Sequence, residues 1–160
     1  MENKKFTVTN DLLASNGKRF LNLAIDLLTQ HIIGLSIAML IVLISESTKW
    51  YALADWIDQT DSTEQFFIGL LIFIPYYLLT EIYFSRTIGK YFTKTLVVMK
   101  DGSQPDKTTI LIRTLCRLIP FEFISFMGED SQGWHDAFSK TYVVNKRRFY
   151  EKKKLYDSFL

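Results

Sequence analysis

The chain has 160 residues, 48% of them apolar and 22% charged, with a net charge of +2 and a mean hydropathy of +0.08. These averages exclude a disordered polyelectrolyte and a collagen-like repeat, and the single cysteine, Cys116, excludes a disulfide scaffold. The small net charge gives no bulk attraction for a polyanion, so no nucleic-acid partner is expected.

Residues 1–18 read as a polar lead-in toward the cytoplasm, with Ser15 or Asn16 placed to cap the helix that follows. From Leu27 to Ser45 there is no formal charge, and His31 is the one titratable group. Counting back to Phe20 adds a single acid, Asp26. A bilayer crossing needs about 20 apolar residues, so 20–45 predicts a first span. A soluble core helix would show a polar face, and residues 32–44 show none. The run 66–85 predicts a second span, with Glu81 its one charge and Pro75 at its middle, where a helix in lipid tolerates the defect better than one in water. The first apolar run starts too late and runs too long for a cleavable signal peptide, so none is expected.

Beyond the second span, residues 87–95 predict a short interfacial helix with Lys90 and Lys94 one turn apart. Leu96–Met99 and Thr141–Val144 are β-like, with a turn signal at Asp101-Gly102, and they predict a small two-stranded cytoplasmic ribbon. Between them, residues 108–127 are apolar but carry Arg113, Arg117 and Glu122, broken by Pro120. An Arg at the centre of a bilayer costs about 3 kcal/mol on insertion scales. Arg113 and Arg117 share one helical face, so this third segment predicts an amphipathic helix, interfacial or re-entrant. Residues 146–160 form a basic cytoplasmic tail. The expected fold class is therefore an all-α membrane protein, with a membrane domain over 19–145.

Charge placement orients it. The 46–65 loop holds Lys49 against Glu46, Asp55, Asp58, Asp61 and Glu64, whereas both flanks are rich in Lys and Arg. The positive-inside rule puts both termini in the cytoplasm of a multi-pass inner-membrane protein. Trp50, Tyr51 and Trp56 then belong to the outer aromatic belt, and Tyr83, Tyr91 and Trp134 to the inner one.

Polar groups inside spans are costly and need partners. Arg19, Asn22, Asp26, Thr29 and Gln30 recur every three or four residues and form one stripe, which must face protein. Arg19 and Asp26 are about 10 Å apart along the axis, and their side chains lean so that they do not meet directly. Arg113 or Arg117 is the expected partner of Asp26, and Glu81 or Asp136 that of Arg19. Gly34 and Ala38 make a small-xxx-small pair that could serve a homo-oligomer.

In this order and spacing the residues resemble the RDD family of bacterial membrane proteins, named for one Arg and two Asp. The resemblance is carried by Lys18-Arg19-Phe20 with Asp26 seven positions after the Arg, Thr87-Ile88-Gly89-Lys90, Val97-Val98 through Asp101-Gly102, Arg113 and Arg117, and His135-Asp136 before Thr141-Tyr142-Val143-Val144. It makes Arg19, Asp26 and Asp136 the family's three residues and implies transport of ions or small ligands. The stretch between Arg117 and His135 is shorter and more polar here than is usual in the family.

Two functions follow. In one, Asp26 exchanges a proton or cation, with His31 and Glu81 as relays and Asn22, Gln30 and His135 nearby. In the other, Arg19, Asp26, Glu81, Arg113, Arg117 and Asp136 are a structural lock in a membrane module that assembles with a protein partner on its cytoplasmic face. No metal-ligand spacing, cofactor motif, nucleophile elbow or phosphate loop occurs, so no metal, no cofactor and no enzymatic activity are expected.

Overall fold

The computed structural model describes residues 6–119, 125 and 133–158. Pro120, Glu122 and the rest of the expected third segment beyond Ile119, except Ser125, lie outside the described residues. The chain is mostly helical, with two long helices, α1 (Asn16–Thr48) and α3 (Ser62–Phe84). At 1.5 Å per residue they are about 50 and 35 Å long, enough to cross a 30 Å hydrocarbon core. α3 runs unbroken in assignment through Pro75. The loop between them contains a short helix that its acidic composition did not announce, α2 (Ala52–Asp58), with Trp56 exposed.

Two compact units divide the chain, Met1–Asp26 with Tyr77–Leu160, and Leu27–Tyr76. In the second unit most large apolar side chains are exposed, Leu35, Leu40, Leu43 and Leu71 among them. Exposure of that kind on a helix is costly in water and ordinary in lipid. Gly34 faces α3, since a Cβ built there would meet Ile72 Cδ1 at 3.5 Å. The small residue thus lets the two long helices of this unit approach one another.

The first unit contains the ribbon. β1 (Thr95–Met99) and β2 (Thr141–Asn145) pair antiparallel in the register Leu96↔Val144, Val97↔Val143 and Val98↔Tyr142. Side chains alternate across a strand. One face, with Leu96, Val98, Tyr142 and Val144, packs on Leu12 and Phe149. The other carries Thr95, Val97, Thr141 and Val143, all buried. Gly102 takes the turn after β1 at φ +74, a left-handed conformation that favours glycine.

Both termini are better built than a lead-in and a tail. The N-terminal segment runs along β2 through an isolated bridge, Leu13↔Val144, with Ala14 N–H donating to Val143 O at 2.8 Å. The basic tail is helix α7 (Lys146–Asp157), capped by the Asn145 side chain, and it buries Phe149 while keeping its cations outward. Among the described residues the unit also contains the short α-helices α4 (Ile88–Phe92), α5 (Lys107–Cys116) and α6 (Trp134–Phe138).

Candidate functional site

The N-terminal turns of α1 and the C-terminal turns of α3 supply the site's first acids and bases. Three-and-four spacing puts Arg19, Asn22 and Asp26 on one face of α1, and all three are buried. The same stripe fades further along: Thr29 and Gln30 are half-buried and His31 is exposed.

Asp26 meets the start of α4. Thr87 caps that helix by accepting from Lys90 N–H, and the Thr87 hydroxyl donates to Asp26 Oδ2 at 2.6 Å. Gly89 N–H donates to Asp26 Oδ1 at 2.8 Å. A carboxylate at a helix N-terminus satisfies donors that the helix itself cannot. The close approach requires glycine, because a Cβ at residue 89 would lie 2.9 Å from both Asn22 Cα and Asp26 Oδ1. Asn22 fixes the same junction. Oriented to satisfy both its ends, its amide donates to the carbonyls of Lys18 and Gly89 at 3.2 and 3.1 Å and accepts from Thr95 Oγ1 at 3.2 Å.

Glu81 gathers three cations. Lys90 Nζ and Arg117 Nη2 each lie 2.9 Å from Oε1, and Arg113 Nε lies 3.0 Å from Oε2. The Arg117 guanidinium also stacks over the Tyr77 ring at 4.0 Å, a cation–π contact. Asp136 is held by Arg19 through one oxygen and Arg113 through the other, with His135 Nε2 at 3.2 Å. Burial acts to raise the Asp136 pKa, but Arg113, then His135 and Arg19, outweigh it and hold the carboxyl well below its usual range. Arg113 joins the two halves, since it bonds Glu81, Asp136 and the Thr141 hydroxyl of β2. Among the described residues, Nη2 of Arg19 and of Arg113 are buried without an acceptor.

The expected partner of Arg19 is thus found in Asp136. The expected Arg partner of Asp26 is replaced by the Thr87 hydroxyl and the Gly89 amide, and the arginines of α5 go to Glu81 and Asp136 instead. Arg113 needs two acceptors to match its fork of donors, and Glu81 and Asp136 supply them where a carboxylate already tied to a helix end would not. Sequence reasoning counted Lys90 as an interfacial flank charge, yet it is buried against Glu81. Thr87, three residues before Lys90, is a recognisable helix cap, but it marks only the start of α4 and not where the Lys90 side chain goes. Thr95 and Thr141 were also missed, since threonines in a strand carry no sign of what they face, and so was Thr93, which ends α4. Among the described residues, no three His, Cys, Asp or Glu side chains converge to hold a metal ion.

Two long apolar helices with a nucleus of buried charge at their polar ends define a membrane protein whose polar contacts turn inward. A family model described as the RDD family matches residues 13–140, and the chain belongs to this family of bacterial membrane proteins. Among curated proteins and solved structures, nothing matches the chain.

Proposed function

We propose that the protein is a non-enzymatic, multi-pass inner-membrane module with both termini cytoplasmic, in which the buried charges lock the short helices and ribbon to the inner turns of the spans. The locked assembly serves as a platform for a protein partner on the cytoplasmic face. The observation that carries this reading is Arg113, fully buried and bonded at once to Glu81, Asp136 and Thr141. A guanidinium tied to three elements is a fixed strut rather than an exchanging group. The orientation rests on the excess of Lys and Arg flanking the spans and the five acids of the 46–65 loop.

Transport of a proton or cation is the second reading, favoured by Lys90. Burial pushes its ammonium below the usual lysine range against the pull of Glu81, leaving an exchangeable proton beside a carboxylate. Asp26, bonded to the Gly89 amide of the helix that carries Lys90, would be the cation-binding acid.

Liposome flux separates the two. Purified protein, Asp26→Asn and Lys90→Met are reconstituted, and Na⁺- or K⁺-dependent proton movement is followed. The lock predicts wild-type flux equal to that of empty liposomes, together with a lower unfolding midpoint for both variants. Wild-type flux abolished in variants of unchanged stability would establish transport and overturn the lock.

A further inference from the structure

The three short helices share an inverted pattern. α4 buries Gly89 and Lys90 and exposes Tyr91 and Phe92, at 62% and 68%. α5 buries Ile110, Arg113 and Thr114, one face at three-and-four spacing, and exposes Leu111 and Leu115 at 43% and 49%. α6 buries His135 and Asp136 and exposes Trp134 and Phe138, at 44% and 64%. A surface helix of a soluble protein does the opposite, turning its apolar stripe in and its charges out. One such helix could be a local accident of packing. Three in the same unit, each with its charged residue in the nucleus, describe a surface whose surroundings are apolar.

We propose that α4, α5 and α6 form a collar that lies against lipid at the acyl–headgroup boundary of one leaflet, with the charged nucleus turned away from it. Three observations select lipid over water or another protein as the occupant. The inner turns of both spans in this unit are apolar outward as well, with Phe20 and Leu21 on α1 and Tyr83 and Phe84 on α3 exposed. The exposed side chains of the collar are rich in Tyr, Trp and Phe, the residues that settle at the membrane interface. α5 is ten residues, about 15 Å, half of a hydrocarbon core, so it cannot cross but can lie within one leaflet. The placement also resolves the cost of bringing Arg113 and Arg117 to membrane depth. Their guanidinium groups face Glu81 and Asp136, and the stem side of the helix meets lipid. The collar rests on the chain being membrane-inserted, and the test reads that separately.

Trp134 is the probe. Trp50→Phe and Trp56→Phe are combined so that Trp134 alone fluoresces, and the protein is reconstituted into phosphatidylcholine vesicles carrying bromine high or low on the acyl chain. Retention after an alkaline carbonate wash reports insertion in the same sample. The expected result is retention, loss of most Trp134 emission with the high-bromine lipid, a smaller loss with the low-bromine lipid, and little quenching by aqueous acrylamide. Retention with free acrylamide quenching and no bromolipid effect would overturn the collar and leave the spans standing; loss from the washed membrane would overturn both. A second measurement uses Ile112→Cys in a Cys116→Ser background. Slow reaction of the introduced thiol with an aqueous maleimide supports the collar. Fast reaction, or efficient crosslinking between two copies, makes this face water-exposed or a seam between chains and overturns it.

Discussion

The two units of the chain solve the same solvent problem in opposite ways. Leu27–Tyr76 meets its surroundings by composition: apolar side chains point outward all round, and the buried polar side chains are small hydroxyls such as Ser45 and Thr60. Met1–Asp26 with Tyr77–Leu160 meets them by pairing: Arg19, Asp26, Glu81, Lys90, Arg113 and Asp136 are buried, each with a named partner at bonding distance. Apolar packing tolerates substitution as long as volume and character are kept. A buried ion network does not, because removing one member leaves another charge uncompensated. The difference teaches that specificity in this fold is concentrated in one unit, and that mutational sensitivity should be distributed just as unevenly.

The strongest way to break that comparison is Arg113→Met. It removes one cation from Glu81 and one from Asp136 and the link between them, and a broken buried pair costs about 3–5 kcal/mol. Detergent-solubilised protein should lose its monodisperse gel-filtration peak or shift to a much lower unfolding midpoint; a midpoint near wild type would show the network to be dispensable. Acid should have a related effect. Because the folded Asp136 carboxyl lies well below its ordinary value of 3.8, its contribution is complete above about pH 4 and is lost as the pH falls from there toward the folded value. Unfolding followed against pH should therefore steepen below about pH 4 in wild type and flatten in Asp136→Asn.

Gly89→Ala tests the junction of α1 with α4. The added methyl collides with α1 backbone at Asn22 and with the Asp26 carboxylate, and overpacking of that kind costs about 1–3 kcal/mol. The smallest effect belongs to the other unit. Gly34→Ala places a methyl at ordinary contact distance from Ile72, 3.5 Å, and should change stability by no more than about 0.5 kcal/mol. Measured side by side in one SDS-unfolding series, these two glycines sharpen the contrast. Equal costs would erase it.

How much of this was legible follows the same division. The spans could be read because lipid imposes a simple rule, a long run without charge, and 20–45 and 66–85 fall inside α1 and α3 apart from Ser85. The ribbon was legible from its β-branched runs, and the need of Arg19 for an acid was legible too, with Glu81 and Asp136 both open until the fold chose Asp136. The identity of the other partners was not. A Lys directly after a glycine looks the same whether it meets water or Glu81, and the fate of Lys90 is decided by packing that also brings Asp26, 63 positions from Gly89 in the chain, onto the same short helix. The terminal segments were misjudged for a related reason. Leu12 and Phe149 sit in short apolar patches inside polar stretches, and only the ribbon makes them a core.

The pairing of Arg19 with Asp136 spans 117 positions, nearly three quarters of the chain, and this orders events during synthesis. Both spans are made and can enter the bilayer before the ribosome reaches the residues that complete the nucleus. Asp26 acquires Thr87 and Gly89 soon after the second span emerges, and Glu81 acquires Lys90 almost at once. Arg19 waits longest, until α6 has been translated. A nascent chain that ends between Lys90 and Asp136 thus carries an arginine whose partner carboxylate has not yet been made.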